Sequence, residues 1–260
     1  MTHRLAVVVA HPDDDTFGCA GTVALHADDP GFRFVLVHST NGEAGMISDP
    51  ALATRETLGE VRQEEDRRSW TVLGREPDRH EWLGYPDGSL AEFADELVER
   101  LVTIFRDERP DVVISFGPDG VTGHPDHIAA GRAAAEAFHR VRGEGGDGFS
   151  RLFQTAIPQT SIDELNARLV ADGKEPFDPT QIFHPRGVPD DTIGLVVDTS
   201  AVAERVVAAL REHKTQANDM AADMTEDDLL RIASSEHAVR AWPSSESGDP
   251  VLRDVFEDLD

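Results

Sequence analysis

A chain of 260 residues, 39% hydrophobic and 28% charged, carries enough apolar material for one substantial core and is not a disordered protein. Its formal charge of -26, with lysine only at Lys174 and Lys214, argues against nucleic acid and anionic membranes as partners, because both need clustered basic residues. The lone Cys19 rules out an intrachain disulfide framework, and the apolar run 5–10 is too short for a membrane span or signal-peptide core, so the cytoplasm is the expected location.

The run 5–10 (LAVVVA) is continuous, apolar and β-branched, which predicts a strand buried on both faces. A helix follows over about 17–28, then a second strand at 32–39 and a helix at 54–74 that Gly74 terminates. A short strand, HEWLG, leads into the turn Tyr85-Pro86-Asp87-Gly88, and a helix over 90–108 stops before Pro110. The segment 111–116 (DVVISF) is another buried strand, and Gly117, Gly120 and Gly123 punctuate a loop before a helix over about 124–142. Beyond the break at 143–148, the proline-containing stretch 149–192 reads as a strand near LFQTAI and a long excursion that could wall a site. A strand at 193–198, an amphipathic helix at 201–214, a further helix at 225–242 and a loop at 243–250 complete the chain. Alternation of apolar strands with helices predicts an α/β fold: a Rossmann-like, open, mostly parallel sheet with helices on both faces and an irregular C-terminal excursion, as one domain over 1–260.

Two motifs carry chemistry. His11-Pro12-Asp13-Asp14-Asp15 directly follows the first strand, and His124-Pro125-Asp126-His127 follows the glycine loop after DVVISF. Ligand sites of parallel sheets lie at the carboxyl ends of strands, where both motifs fall. Singly, the first could be a helix cap and the second a surface loop. Together they offer what a catalytic zinc takes, about three His and carboxylate ligands with a position left for water. His11, Asp14 and His127 can supply the ligands. Asp13, diverging from its neighbour, is the candidate general base for a water acidified by the metal. His124, three residues before His127 and on the same helix face, can stabilise an oxyanion, and Asp126 could orient His124 and keep it protonated. A dinucleotide-binding protein would need G-x-G-x-x-G after the first strand, where this chain has AHPDDD.

AHPDDDTFGCAGT and FGPDGVTGHPDH resemble the two signature motifs of the LmbE-like, or PIG-L, N-acetylglucosaminyl deacetylases, in order and in separation. That family includes deacetylases of glycosylphosphatidylinositol, mycothiol and bacillithiol biosynthesis and of glycopeptide antibiotics. The resemblance implies a zinc-dependent N-deacetylase, with Fe²⁺ as an alternative metal, acting on a small N-acetylated amino-sugar conjugate. It implies the same roles for His11, Asp14, His127, Asp13 and His124, and nominates Arg62 and Asp87 as substrate-binding residues. In the mycothiol branch a tyrosine stands two residues before the first histidine of the second motif; this chain has Thr122, so Asp13 would serve as both base and acid. A hydrolase of another amide, or a non-catalytic metal-binding protein of the same fold, are the alternatives, and a homo-oligomer is compatible with either. Cys19 reads as a packing residue and His38 as a core histidine that could line the pocket; His184, in the excursion, could shape the site, and Tyr85 is a candidate for stacking on a sugar ring. His213, with Gln216, echoes a His-x-x-Gln element of the family.

Overall fold

Five segments enter one sheet as parallel strands. In the computed structural model, which describes residues 2–216, 224–245 and 248–259, these are β1 (His3–Val9), β2 (Phe32–Thr40), β3 (Arg79–Tyr85), β4 (Val112–Phe116) and β5 (Arg151–Thr155). A short ladder of β6 (Ile157–Pro158) and β7 (Gly187–Val188) stands apart, and β8 (Leu195–Asp198) and β9 (Ser235–Trp242) complete the large sheet. Its order is β3-β2-β1-β4-β5-β9-β8, with β9 antiparallel to both β5 and β8. The apolar run Leu5 to Ala10 is almost wholly out of solvent, as a central strand covered on both faces must be. Each buried Leu, Val or Phe of this kind contributes about 1.5–3 kcal/mol.

The helices are α1 (Asp14–Leu25), α2 (Leu58–Leu73), α3 (Ala94–Glu108), the single turn α4 (Gly120–Gly123), α5 (Pro125–Gly143), α6 (Gln159–Ala171), α7 (Ala203–Leu210) and α8 (Glu226–Ala233). On one face α3 packs on α5; on the other α1, α2 and α7 pack together. Local chemistry sets several ends. Gly74 closes α2 in the left-handed conformation (φ 85°), donating its N–H to the Trp70 carbonyl. Thr225 and Asp228 form a reciprocal capping box at the start of α8.

From β1 the chain builds outward through β2 to β3, then returns across the sheet to β4 on the other side of β1. The carboxyl ends of β1 and β4 therefore flank the switch point of the sheet, which opens a crevice there. Close packing holds the second motif to β4. A Cβ on Gly131 would lie 2.4 Å from the Phe116 carbonyl oxygen, so only glycine lets α5 approach that strand.

Four expectations are corrected. The helix expected over 225–242 ends at Ala233, and the rest is β9, wedged between β5 and β8. That strand exists because two partners flank it. The first helix begins at Asp14 rather than near 17, which brings Asp14 and Asp15 into its first turn. The helix expected over 201–214 is regular only over Ala203–Leu210, with 3-10 turns on either side. The excursion at 149–192 contains a helix, α6, that its prolines obscured. Within the loop expected at 243–250, residues 246–247 lie outside the described part.

Candidate metal centre and active site

The first loop is bent by Asp13, whose φ of 116° is a conformation that L-residues rarely adopt. The bend sends neighbouring carboxylates apart. Asp13 Oδ2 meets Nη2 of Arg62 at 3.0 Å, whereas Asp14 turns to the histidines, with Oδ2 3.3 Å from His11 Nδ1 and Oδ1 3.1 Å from His127 Nε2. The two ring nitrogens, His11 Nδ1 and His127 Nε2, face each other at 3.2 Å. Sequence positions 116 residues apart thus converge because β1 and β4 are neighbours in the sheet.

The tautomers follow from the outer partners. His127 Nδ1 lies 2.9 Å from the Gly120 carbonyl oxygen and must donate to it, which leaves Nε2 a bare lone pair. His11 Nε2 lies 3.0 Å from Asp87 Oδ1 and 3.5 Å from Asp126 Oδ2, so Nε2 carries a proton and Nδ1 is the nitrogen a metal would take. Between these facing nitrogens, with a carboxylate beside them, must lie a proton or a metal ion. Against burial, the surrounding carboxylates hold the His11 imidazole well above its ordinary value, so without a metal the proton is there. Separations of 3.1–3.3 Å approach the edge of about 3.3 Å that ligands 2.0–2.1 Å from a tetrahedral zinc would make. The donor set fits a divalent metal of zinc or iron type. Its backing by carboxylates and a backbone carbonyl is the outer shell such sites use. Nitrogens of His11, His124 and His127 also lie within 4.8 Å of one another, and so do donor atoms of His11, Asp87 and Asp126.

Electrostatics separates the two acids. Burial pushes Asp14 up, but His127 and His11 more than offset it and hold its carboxyl well below the usual range. Burial pushes Asp13 up to about 7; Arg62 and His11 oppose the rise, and the Asp14 and Asp15 charges add to it. Adjacent residues thus become a permanent anion and a proton acceptor matched to neutral pH.

The residues expected to surround this centre take partly different places. Asp126 does not orient His124 through its carboxylate, which instead accepts from the backbone N–H of Gly88 and Leu90 at 2.7 and 3.0 Å. Its backbone N–H donates to His124 Nδ1 at 3.1 Å, so the imidazole caps α5. Burial, then His11 and His127, push His124 down to about 4. The ring is therefore neutral, with Nε2–H as its donor. Arg62 is buried, and its guanidinium reaches the carbonyls of Pro12 and Gly42 as well as Asp13. Asp87 Oδ2 accepts from the Ala44 N–H while Oδ1 braces His11, and its carboxyl is held down to about 2: burial raises it and the His11 contact more than reverses that. Both side chains therefore contact residues of the first motif, Arg62 at Pro12 and Asp13, and Asp87 at His11.

Cys19 is fully buried and its thiol is pushed well up by burial, so it packs. His184 accepts from the Asp178 N–H within the excursion, and Tyr85 packs on Phe93. His213 is buried against Thr16, and Gln216 reaches the Met46 carbonyl. Phe183, Arg186 and one largely buried polar group were not picked out from the sequence, although the excursion that carries the first two was expected to wall a site. Phe183 sits 5.3 Å from the His124 ring while 71% exposed, and Arg186 crowds Gly123, so the excursion reaches over the second motif. A buried group of His38, Asp66 and His80 lies beyond Asp15. Asp66 falls four residues after Arg62, one helical turn along the same face, which is the one sequence signal that could have drawn attention to it.

Fold and site together define an α/β protein with a His/Asp cluster that could hold a metal ion at the switch point of its sheet. The family model for GlcNAc-PI de-N-acetylase (PIG-L) matches residues 6–138, just over half the chain, and the protein belongs to that family. It is 34% identical over 240 residues to the 1D-myo-inositol 2-acetamido-2-deoxy-alpha-D-glucopyranoside deacetylase of Thermobifida fusca, spanning 82% of this chain and 83% of that one. The corresponding deacetylase of Streptomyces scabiei is 32% identical over 250 residues, with 82% and 76% covered. The N,N'-diacetylchitobiose deacetylase of Pyrococcus horikoshii shares the fold at a TM-score of 0.55 and 26% identity, over 82% of this chain and 70% of that one. Among the described residues no helix is long and apolar enough to cross a membrane.

Proposed function

We propose that this protein is a metal-dependent hydrolase that removes the N-acetyl group from an N-acetylglucosamine-type conjugate, with Zn²⁺ as its metal. The observation that carries the reading is the division of labour between Asp13 and Asp14. A metal site without turnover has no chemical use for a buried carboxyl of pKa about 7, clamped by Arg62 beside the ligand set. The relatives, named for deacetylation of an acetamido sugar, supply the substrate class.

His11, Asp14 and His127 would hold the metal. When bound, a divalent cation supplies Lewis-acid polarisation of an amide carbonyl and lowers the pKa of water toward about 7. Asp13 takes the proton of the attacking water, fixed in position by its bond to Arg62. His124, neutral and capped through Nδ1, offers Nε2–H to the oxyanion as the acyl carbon becomes tetrahedral. Asp13 then returns its proton to the departing amine. Thr122 stands where a tyrosine acid would be needed, and its hydroxyl, buried without a hydrogen-bond partner, is no acid of comparable strength. Asp87 and Asp126 keep His11 in the tautomer that leaves Nδ1 free. The buried thiol suits the reducing cytoplasm.

Amine release from N-acetylglucosaminyl-inositol and from N,N'-diacetylchitobiose by zinc-reconstituted protein, with Asp13→Ala as control, tests the proposal. Turnover with either substrate that the control lacks supports it. Fully metallated protein that releases no amine from either would overturn it.

A further inference from the structure

Beneath the catalytic loop, on the far side of Asp15, a second set of metal-type donors converges from three elements. His38 lies on β2, His80 on the neighbouring edge strand β3, and Asp66 on α2. His38 Nδ1 faces His80 Nε2 at 2.9 Å; Asp66 Oδ2 is 3.6 Å from His80 Nε2, and Asp66 Oδ1 is 3.6 Å from His38 Nε2. One donor atom from each of the three lies within 4.8 Å of the others.

Two features of the cluster leave a place for a further cation. First, both carboxylate oxygens of Asp66 are buried and make no hydrogen bond, and the side chain has no exposure to solvent. A buried carboxyl without a hydrogen-bond partner must be compensated by a proton or by a cation. Second, His38 Nε2 points to Asp15 Oδ1 at 3.3 Å, and Asp15 is held in turn by the indole N–H of Trp70 at 2.7 Å. With Nε2–H directed toward Asp15, Nδ1 is bare and faces His80 Nε2, from which it accepts a hydrogen bond in the metal-free site and beside which it can ligate a cation. That carboxylate–imidazole relay is how metal-binding histidines are oriented. Stacking of Trp82 on His38 at 4.2 Å and 9° fixes the ring plane. Arg67 is the nearby cation, but its guanidinium lies over the Trp82 ring at 6.0 Å.

We infer that His38, Asp66 and His80 form a second divalent-cation site, of zinc type by its two imidazoles and one carboxylate, separate from the His11, Asp14 and His127 centre. The side chain of His80, 16% exposed at the sheet edge, gives the ion its way in and leaves room for a water as fourth ligand. The bound ion joins β2 and β3 to α2, the helix whose Arg62 clamps Asp13, and its role is to hold that helix in register.

The rival occupant is a proton shared by Asp66 and Asp15, and metal analysis separates the two. Full-length apo protein is dialysed against Zn²⁺ and its bound metal counted. Wild type is expected to hold two equivalents, His80→Gln and Asp66→Asn one each, His127→Ala one, and the His127→Ala/His80→Gln double variant none. Wild type holding one equivalent or fewer, His80→Gln holding two, or His127→Ala holding none while folded by circular dichroism overturns the site. Asp66→Asn alters a fully buried side chain, so half-buried His80 carries the test. Co²⁺ gives a second readout. His127→Ala should show the visible bands of a tetrahedral cobalt site and a Zn²⁺-dependent rise in Tm, and the double variant neither. This inference does not depend on the deacetylase reading.

Discussion

Nη2 of Arg62 lies 3.0 Å from Oδ2 of Asp13, and the guanidinium is buried with its other contacts on backbone carbonyls. The arginine that the family resemblance nominates for substrate is thus already engaged with the base. Arg62→Gln should lower kcat by about ten- to a hundredfold, the equivalent of a lost charge-assisted bond of about 1.5–3 kcal/mol, with KM little changed. Arg62 also opposes the rise of Asp13, so its removal should move the acid limb of kcat/KM to higher pH. A variant with raised KM and unchanged kcat would return Arg62 to the substrate.

His124 is neutral above about pH 4, because burial and two neighbouring imidazoles disfavour its charged form. A bound metal cation would disfavour that form further. The wild-type kcat/KM profile should therefore show no descending limb from imidazolium loss between about pH 6 and 8. His124→Gln should lower kcat by about 10²–10³, the usual cost of one oxyanion donor, while bound metal is unchanged.

His213 predicts acid lability. Burial and the charge of Arg62 push it down to about 4, against the pull of Asp15 and Asp14. In the unfolded chain its pKa is about 6.5. The unfolded state takes up the proton first, so this stability is complete above about 6.5 and is lost as pH falls toward about 4. The loss is on the order of 3 kcal/mol. Thermal melts at falling pH should show it, and His213→Gln, which can still reach Thr16, should flatten the slope over that window.

Gly131 stands four residues after His127, one turn further along the same face of α5. A methyl there would meet the Phe116 carbonyl oxygen at 2.4 Å, and backbone cannot yield as a flexible side chain would. Gly131→Ala should cost about 1–3 kcal/mol in chemical denaturation. It should also reduce activity, because lifting α5 from β4 withdraws His127 from His11. Activity retained alongside lost stability would show that the ligand position tolerates the shift.

Much of this protein was legible in the residues because two signals coincided. The run Leu5 to Ala10 has no polar side to turn to water, so it had to be a central strand, and HPDDD follows it without a linker. DVVISF and HPDH repeat the arrangement, and the parallel fold does the rest by bringing strand ends together. Local steric rules likewise governed the stop at Gly74 and the proline in the first turn of α5.

What only the tertiary structure decided was direction and partnership. Whether Asp126 presents its carboxylate or its N–H to His124 depends on where the loop at Gly88 and Leu90 docks, a contact nearly forty positions away. β9 reads as helix in isolation because a strand draws its hydrogen bonds from neighbours, here β5 and β8, that no local pattern records. The meeting of His38, Asp66 and His80 is of the same kind. Periodicity speaks of which side of an element is buried; only packing says which buried group faces which.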